Sequence, residues 1–465
     1  EIIFGDNSGI FYFLNQEDMS IYASYDMGDE IWGAPAIDDL DGDGDLEVAI
    51  TSKNGSFYIF NHLGNLIFEE DFEAYLMGAP AIGNFGNNGD KAVYIPTFES
   101  DGKIYQISWG EGDNYIISNT YSIGEKIQKG IALHNLGSGD TDWLIYGTDG
   151  DAIEVYDPQN LTTWTYSVGD KVRSAPIIIG FNDGEHLIVA GSKDDNLYAF
   201  RYPAIEEHFI YETGGDVESP SVFEHTQYGT VIVFGSSDGN LYMIDTAGND
   251  IPGWPKVLGA PIKGSPSIAD IDGDGLADIA IGQAEGKFFV FNENGDVLNN
   301  FPITIEFPFV SSPAINDLDG DGDLELLIGG TSALYGYDFK AENGSSDGYW
   351  SMYRGNHQRT GYFESESYLG TDINDLIPSS FKINSVYPNP FNPVATINID
   401  IPSNEKFNLS IFDVKGSLVE QIYEGKKVAG NYTFNWDGSN YSSGMYLVKL
   451  SYNNKYNSHK IMLVK

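Results

Sequence analysis

One phrase recurs along the first three quarters of the chain and limits what the chain can fold into. Gly-Ala-Pro-Ala-Ile stands at 33–37 and 78–82, Ser-Ala-Pro-Ile-Ile at 174–178 and Ser-Pro-Ser-Val at 219–222. Gly-Ser-Pro-Ser-Ile follows at 264–268 and Ser-Ser-Pro-Ala-Ile at 311–315, with a worn copy, Gly-Ile-Ala-Leu, at 130–133. The copies are about 44 to 52 residues apart. A period of this length marks a supersecondary unit that buries its apolar surface only against its neighbours. After each copy comes a short apolar run, such as Val48-Ala49-Ile50, Leu187-Ile188-Val189 or Ile279-Ala280-Ile281. A turn bearing Gly or Asp follows, then an aromatic run such as Phe57-Tyr58-Ile59-Phe60 or Leu241-Tyr242-Met243-Ile244.

These runs are short, β-branched or aromatic, and bounded by Gly, Asn and Asp, so they read as strands. Several are apolar at consecutive positions, the pattern of a small sheet covered on both faces. Helical periodicity is absent. Four short strands per unit, repeated around a ring, predict an all-β fold, a β-propeller spanning residues 1–340. Residues 1–31 match the second and third strands of the unit and lack its first. Seven full starts plus this partial unit favour eight blades, with seven as the runner-up. The missing strand implies that upstream sequence has been removed or that another segment completes the ring. Glu1 opens directly into strand-like sequence, so any signal peptide is expected to be gone already.

Three repeats carry a regular acidic loop between their first and second strands. The first holds Asp39, Asp41, Asp43, Asp45 and Glu47; the second Asp270, Asp272, Asp274, Leu276 and Asp278; the third Asp317, Asp319, Asp321, Asp323 and Glu325. Carboxylates stand at loop positions 1, 3, 5 and 9, with Gly at 6. Ca²⁺ takes six to eight oxygens, and alternate residues of a tight loop can turn theirs inward. The position-7 carbonyl (Asp45, Leu276 or Asp323) can add another. Without a cation, four or five carboxylates in nine residues repel one another with nothing to offset them. Three Ca²⁺ sites are therefore expected, holding blades together and not catalytic; Mg²⁺ fits less well because it usually keeps several waters. In the second full repeat Asn84, Gly86, Asn88 and Asp90 occupy the corresponding loop, and in the third Asn135 to Asp140, so neither is expected to bind.

The Asp-x-Asp-Gly-Asp-Gly-x-x-Asp/Glu loop resembles the FG-GAP or VCBS repeats of integrin-α-like propellers. The aromatic hairpins, such as Gly235 to Tyr242, also resemble quinoprotein-type repeats, which form eight blades. The resemblance implies a rigid, calcium-bound scaffold for adhesion or ligand binding and names no ligand.

Residues 341–380 are polar and irregular and read as a blade-closing segment and linker. Trp350 is expected to supply the last outer strand, with Arg354 and Arg359 pairing against the acidic ring. From Phe381 onward longer alternating strands, such as Thr396 to Ile401 and Phe407 to Phe412, predict a small antiparallel β-sandwich over 381–465. Tyr387-Pro-Asn-Pro-Phe-Asn-Pro393 is an extended lead-in, because three prolines remove ladder donors. Tyr387 to Pro393, Ile411-Phe-Asp-Val-Lys-Gly-Ser417, Phe434-Asn-Trp-Asp-Gly438 and Ser443-Gly-Met-Tyr-Leu-Val448 resemble the C-terminal sorting domain of the type IX secretion system. That resemblance implies engagement of the secretion machinery through 381–465, and release or attachment at the outer-membrane surface of a Bacteroidota-like, Gram-negative bacterium.

Charge agrees with two parts. Of 465 residues 69 are acidic and 24 are Lys or Arg, a net of −45, which disfavours nucleic acid and anionic lipid as partners. Residues 381–465 hold nine Lys and six acids, a net of +3, leaving −48 on residues 1–380. The absence of Cys removes disulfides, thiolate metal sites and cysteine nucleophiles. No run reaches the ~18 apolar residues of a membrane span.

For function, the seven His share no motif, and no Gly-x-Ser-x-Gly, His-Glu-x-x-His or sialidase box occurs. Most paired carboxylates fall in the metal loops. The reading that follows is a non-catalytic scaffold for an extracellular ligand, a glycan or a protein. A polysaccharide lyase or hydrolase on the same scaffold is the alternative, and a self-associating surface-layer or fibre subunit the second.

Overall fold

Each 45-residue unit folds as an antiparallel meander whose strand order follows the chain. A computed structural model describes the chain apart from residues 17, 87–88, 111–113, 138, 332, 342, 366–380, 402–405, 428–429 and 453–454. Residues 342 and 366–380 of the expected linker, and Asn88, lie outside the described residues. The chain forms two compact units.

The first unit contains eight successive sheets among the described residues. The first holds Ile2–Gly5, Ile10–Leu14 and Ile21–Asp26, and the second Ala36–Asp38, Glu47–Thr51, Ser56–Phe60 and Leu66–Asp71. The third runs from Ala81–Phe85 to Asn114–Ser122, the fourth from Ala132–His134 to Thr162–Ser167, and the fifth from Ile177–Gly180 to Glu206–Glu212. The sixth runs from Ser221–His225 to Lys256–Val257, the seventh from Ser267–Ala269 to Ile303–Thr304, and the eighth from Ala314–Asn316 to Leu334–Asp338. Second strands such as Glu47–Thr51 and Asp278–Gly282 are buried at every position, as their unbroken apolar runs require. Outer strands such as Leu66–Asp71 and Thr162–Ser167 alternate between half-buried and exposed. Core clusters join neighbouring sheets: Phe57 and Ile59 of the second pack with Val93 and Ile107 of the third. This is a β-propeller. The first sheet has three strands among the described residues.

The segment after the eighth sheet departs from expectation. It runs across the first strands of the sheets, taking backbone hydrogen bonds from them in ring order. Ile268 N–H of the seventh sheet donates to Trp350 O and Ile315 N–H of the eighth to Ser351 O. Ile37, Ile82, Leu133 and Ile178, of the second to fifth sheets, donate to His357, Gln358, Thr360 and Gly361. Tyr362–Glu364 then pairs in parallel with Ile177–Gly180, and the Ser365 hydroxyl meets that of Thr230 in the sixth sheet. The first strands of the second to fifth, seventh and eighth sheets are thus bridged through one continuous peptide. Trp350 is 2% exposed and is part of this hub, not of an outer strand. The eighth sheet has three strands among the described residues.

The expected pairing of Arg354 and Arg359 with carboxylates is also replaced. Arg354 Nε donates to Arg359 O at 2.6 Å, and its Nη2 to Ile131 O. Arg359 Nε donates to Pro35 O at 2.8 Å and its Nη1 to Tyr353 O at 2.8 Å. Carbonyls converging on the hub leave unmatched acceptors, and a guanidinium with five fixed donors satisfies several at once. Burial lowers both guanidinium pKa values to about 10, which leaves them charged at neutral pH.

The second unit packs the sheet of Lys382–Tyr387, Val394–Ile401 and Gly430–Asp437 with a four-stranded sheet. The latter is ordered Leu418–Lys426, Lys406–Asp413, Gly444–Tyr452, Lys455–Leu463. Val394–Ile401 alternates exposed or half-buried with buried along its length, so one face supplies the core around Trp436 and Phe391. The proline-rich lead-in lies between two strands, and Phe391, 1% exposed, anchors it there through backbone bonds to Met462 and Val464.

Candidate metal centres

The three acidic loops fold identically, and their side chains explain why. The position-1 carboxylate accepts the N–H groups of both glycines: Asp39 from Gly42 and Gly44, Asp270 from Gly273 and Gly275, Asp317 from Gly320 and Gly322. Position 3 accepts from the N–H of position 5, and position 5 from that of position 7. Position 9 reaches back to position 2: Glu47 to Leu40 at 2.9 Å, Asp278 to Ile271 at 2.8 Å, Glu325 to Leu318 at 2.6 Å. Gly44 and Gly322 have φ of 96° and 93°, with nothing within 4 Å of an added Cβ. Backbone conformation, not space, requires glycine there.

This folding gathers carboxylate oxygens within 4.8 Å of one another. Asp39, Asp41 and Asp43 form one group and Asp270, Asp272 and Asp274 a second. In the third loop Glu325 joins Asp317 and Asp319 on one side and Asp321 and Asp323 on the other. Asp45, Glu47, Leu276 and Asp278 fall outside those groups. Asp45 Oδ2 lies 3.4 Å from His62 Nδ1, while Glu47 and Asp278 are buried beside the loops. Burial, and then the neighbouring carboxylates, push Glu47, Asp278 and Glu325 up to about 7. Glu325 Oε1 and Asp323 Oδ1 are buried with no hydrogen-bond partner. Hard oxygen donors, crowded and partly orphaned, fit a hard divalent cation. The third loop also has a competitor: Lys340 Nζ lies 3.5 Å from Asp321 and 3.7 Å from Asp323.

The repeats without the acidic set use other devices. Asp142 of the fourth sheet, 6% exposed, accepts the Asn84 N–H of the third at 2.7 Å, joining two sheets by a carboxylate cap. Sequence spacing misses a second grouping. His134 lies face to face with Tyr362, centroids 3.5 Å apart, and 5.4 Å from the ring of His186. Burial lowers both imidazole pKa values, that of His134 to about 4. Their 52-residue separation, and a third member in the hub segment, leave no motif to read.

Comparison with known proteins bears on the fold and on the C-terminal tail. The FG-GAP-like repeat family matches residues 270–328, which contain the second and third loops. The secretion-system C-terminal sorting domain family matches residues 385–465. Among solved structures, BamB from Moraxella catarrhalis is similar over 72% of this chain and 89% of its own, at 15% identity and a TM-score of 0.50. BBS1N in complex with ARL6DN is similar over 66% and 92%, at 14% identity and a TM-score of 0.47. A search of curated proteins finds no match. The likeness to BamB concerns the fold. The first unit is thus a β-propeller that carries an FG-GAP-like repeat at residues 270–328. More particularly, the protein is a secreted propeller with a type IX secretion sorting domain, which engages the secretion machinery. That tail places it outside the cell or attached at the surface of a Bacteroidota-like bacterium. No helix among the described residues is long and apolar enough to cross a membrane.

Proposed function

We propose that the three acidic loops bind Ca²⁺ and that the propeller is a non-catalytic scaffold for an extracellular ligand. The observation that carries this is the repetition of one hydrogen-bond pattern in three loops, each ending on a buried carboxylate whose pKa is raised. A solvated acidic turn has no reason to bury position 9. Calcium supplies two positive charges to a loop of four or five carboxylates, and exported proteins meet it at millimolar concentration. The chain's own residues hold the loop open: the glycines set the turn, and backbone N–H groups orient one oxygen of each inner carboxylate. Ligands would come from positions 1, 3 and 5 and the position-7 carbonyl, with position 9 behind them.

The test is calcium titration of the chelator-stripped full chain by isothermal calorimetry, with differential scanning calorimetry in calcium and in EDTA. Three bound ions and a propeller transition raised by calcium are expected. A flat titration with an unchanged transition overturns the reading.

A further inference from the structure

Beside the first loop is a cavity of about 260 Å³ that metal binding alone does not use. The carboxylate loop forms one wall. Trp109 and Tyr115 of the third sheet and Ile67 of the second form an apolar one, with Asn61 and His62 on the rim. Tyr115 is 7% exposed, yet its hydroxyl has no hydrogen-bond partner. A buried hydroxyl left unpaired is destabilising, and this one faces the cavity, where a ligand can satisfy it. Its ring stands edge-on to Trp109 at 4.7 Å between centroids, which fixes both. Asn61 Oδ1 accepts the N–H groups of Leu63 and Asn65, leaving its NH₂ for the cavity. His62 Nδ1 stands on the same rim, 3.4 Å from Asp45 Oδ2.

An apolar aromatic wall facing oxygen donors and unpaired polar groups suits a molecule with the same two sides. A sugar ring has an apolar C–H face for an indole and hydroxyls that both donate and accept. Calcium takes six to eight oxygens, and the first loop would supply them from four positions, so hydroxyl oxygens can complete the set. Charge selects further. Asp41, Asp43, Asp45 and Glu47 line this wall, and one Ca²⁺ leaves their four charges at −2, which repels a uronate and favours a neutral ring. We propose that this cavity binds one neutral sugar ring, its vicinal hydroxyls toward the first loop and Tyr115 Oη and its apolar face on Trp109. The assignment rests on the calcium reading of that loop and names the ligand class for it.

The test uses the full chain in millimolar calcium and saturation-transfer NMR. The probes are methyl α-mannoside, methyl β-galactoside and methyl β-glucoside, with galacturonate and choline as charged comparators. Calcium uptake is measured on the same samples. At least one neutral glycoside is expected to bind, to be lost in EDTA, and to bind roughly tenfold more weakly to Tyr115→Phe, which removes only the hydroxyl. Trp109→Ala is expected to abolish binding while calcium uptake persists. Calcium uptake without binding of any neutral glycoside overturns the sugar assignment and leaves the calcium reading standing. No calcium uptake is the distinct failure of that reading. Preference for galacturonate or choline, or equal binding by both variants, also overturns the proposal.

Discussion

The propeller and the C-terminal sandwich bury β-strands with opposite resources. The sandwich has strands of six to nine residues, each sheet presenting one apolar face, and a core that closes on itself around Trp436. The propeller's first strands are often only three residues long, as at Ala36–Asp38 and Ala314–Asn316, too short for their ladder bonds to hold the ring. It adds a hub peptide along those strands and rigid acidic loops at their ends. Net charge follows the same division, +3 against −48. On the calcium reading proposed above, the strongly acidic body gains stability from bound cations, a contribution not proposed for the sandwich. The difference teaches that repetition alone does not make a stable ring.

That contrast breaks most readily by removing calcium. Three sites at a hundredfold over Kd contribute about 8 kcal/mol together, so EDTA is expected to lower the propeller transition by at least roughly 10 °C. The sandwich transition should stay where it is. Equal shifts in both, seen by scanning calorimetry, would remove the contrast.

The hub gives the next largest effect. Arg359→Ala deletes the donors to Pro35 and Tyr353 inside the ring. A loss of about 3 kcal/mol in propeller stability is expected, with Arg359→Lys recovering little because an ammonium cannot reproduce the fork. Denaturant melts that leave the propeller midpoint unmoved would show the hub to be dispensable.

Acidity sharpens the comparison. Glu47, Asp278 and Glu325 have folded pKa values near 7, above the unfolded carboxylate range. The folded metal-free propeller therefore binds more protons than the unfolded chain between about pH 4.5 and 7, and its stability falls as pH rises through that window. With calcium bound the slope should vanish. Melting in EDTA across the window checks the sign; a transition that rises with pH contradicts it.

The smallest effect concerns the third loop. Lys340→Ala removes a competing cation from Asp321 and Asp323 and should tighten one of three calcium affinities several-fold, since an exposed pair contributes under about 1 kcal/mol. Calorimetric titration resolves whether one site changes.

Much of this was legible before any coordinates. Val48-Ala49-Ile50 and its counterparts read as buried strands because both neighbours of a central strand are apolar. The sandwich strands around Ile397 and Leu409 read from simple alternation. Two of its strands, Lys382–Tyr387 and Leu418–Lys426, did not, because each contains a register shift that breaks the period of two. Trp350, Arg354 and Arg359 read as an outer strand and surface ion pairs, since nothing in a polar, irregular stretch announces burial.

The dividing line is sequence distance. The acidic loops span nine residues and the blades about 45, so the contacts that form them lie within one unit and leave a local pattern. Arg354 reaches Ile131 across 223 residues and Arg359 reaches Pro35 across 324. The cavity likewise joins Glu47 and His62 to Trp109 and Tyr115 of the next sheet. Composition and repeat settled which strands exist and where oxygen donors crowd. Only ring closure decided which carbonyls face the axis and which aromatics face the first loop, because those neighbours are set by how sheets stack and not by what lies beside them in the chain.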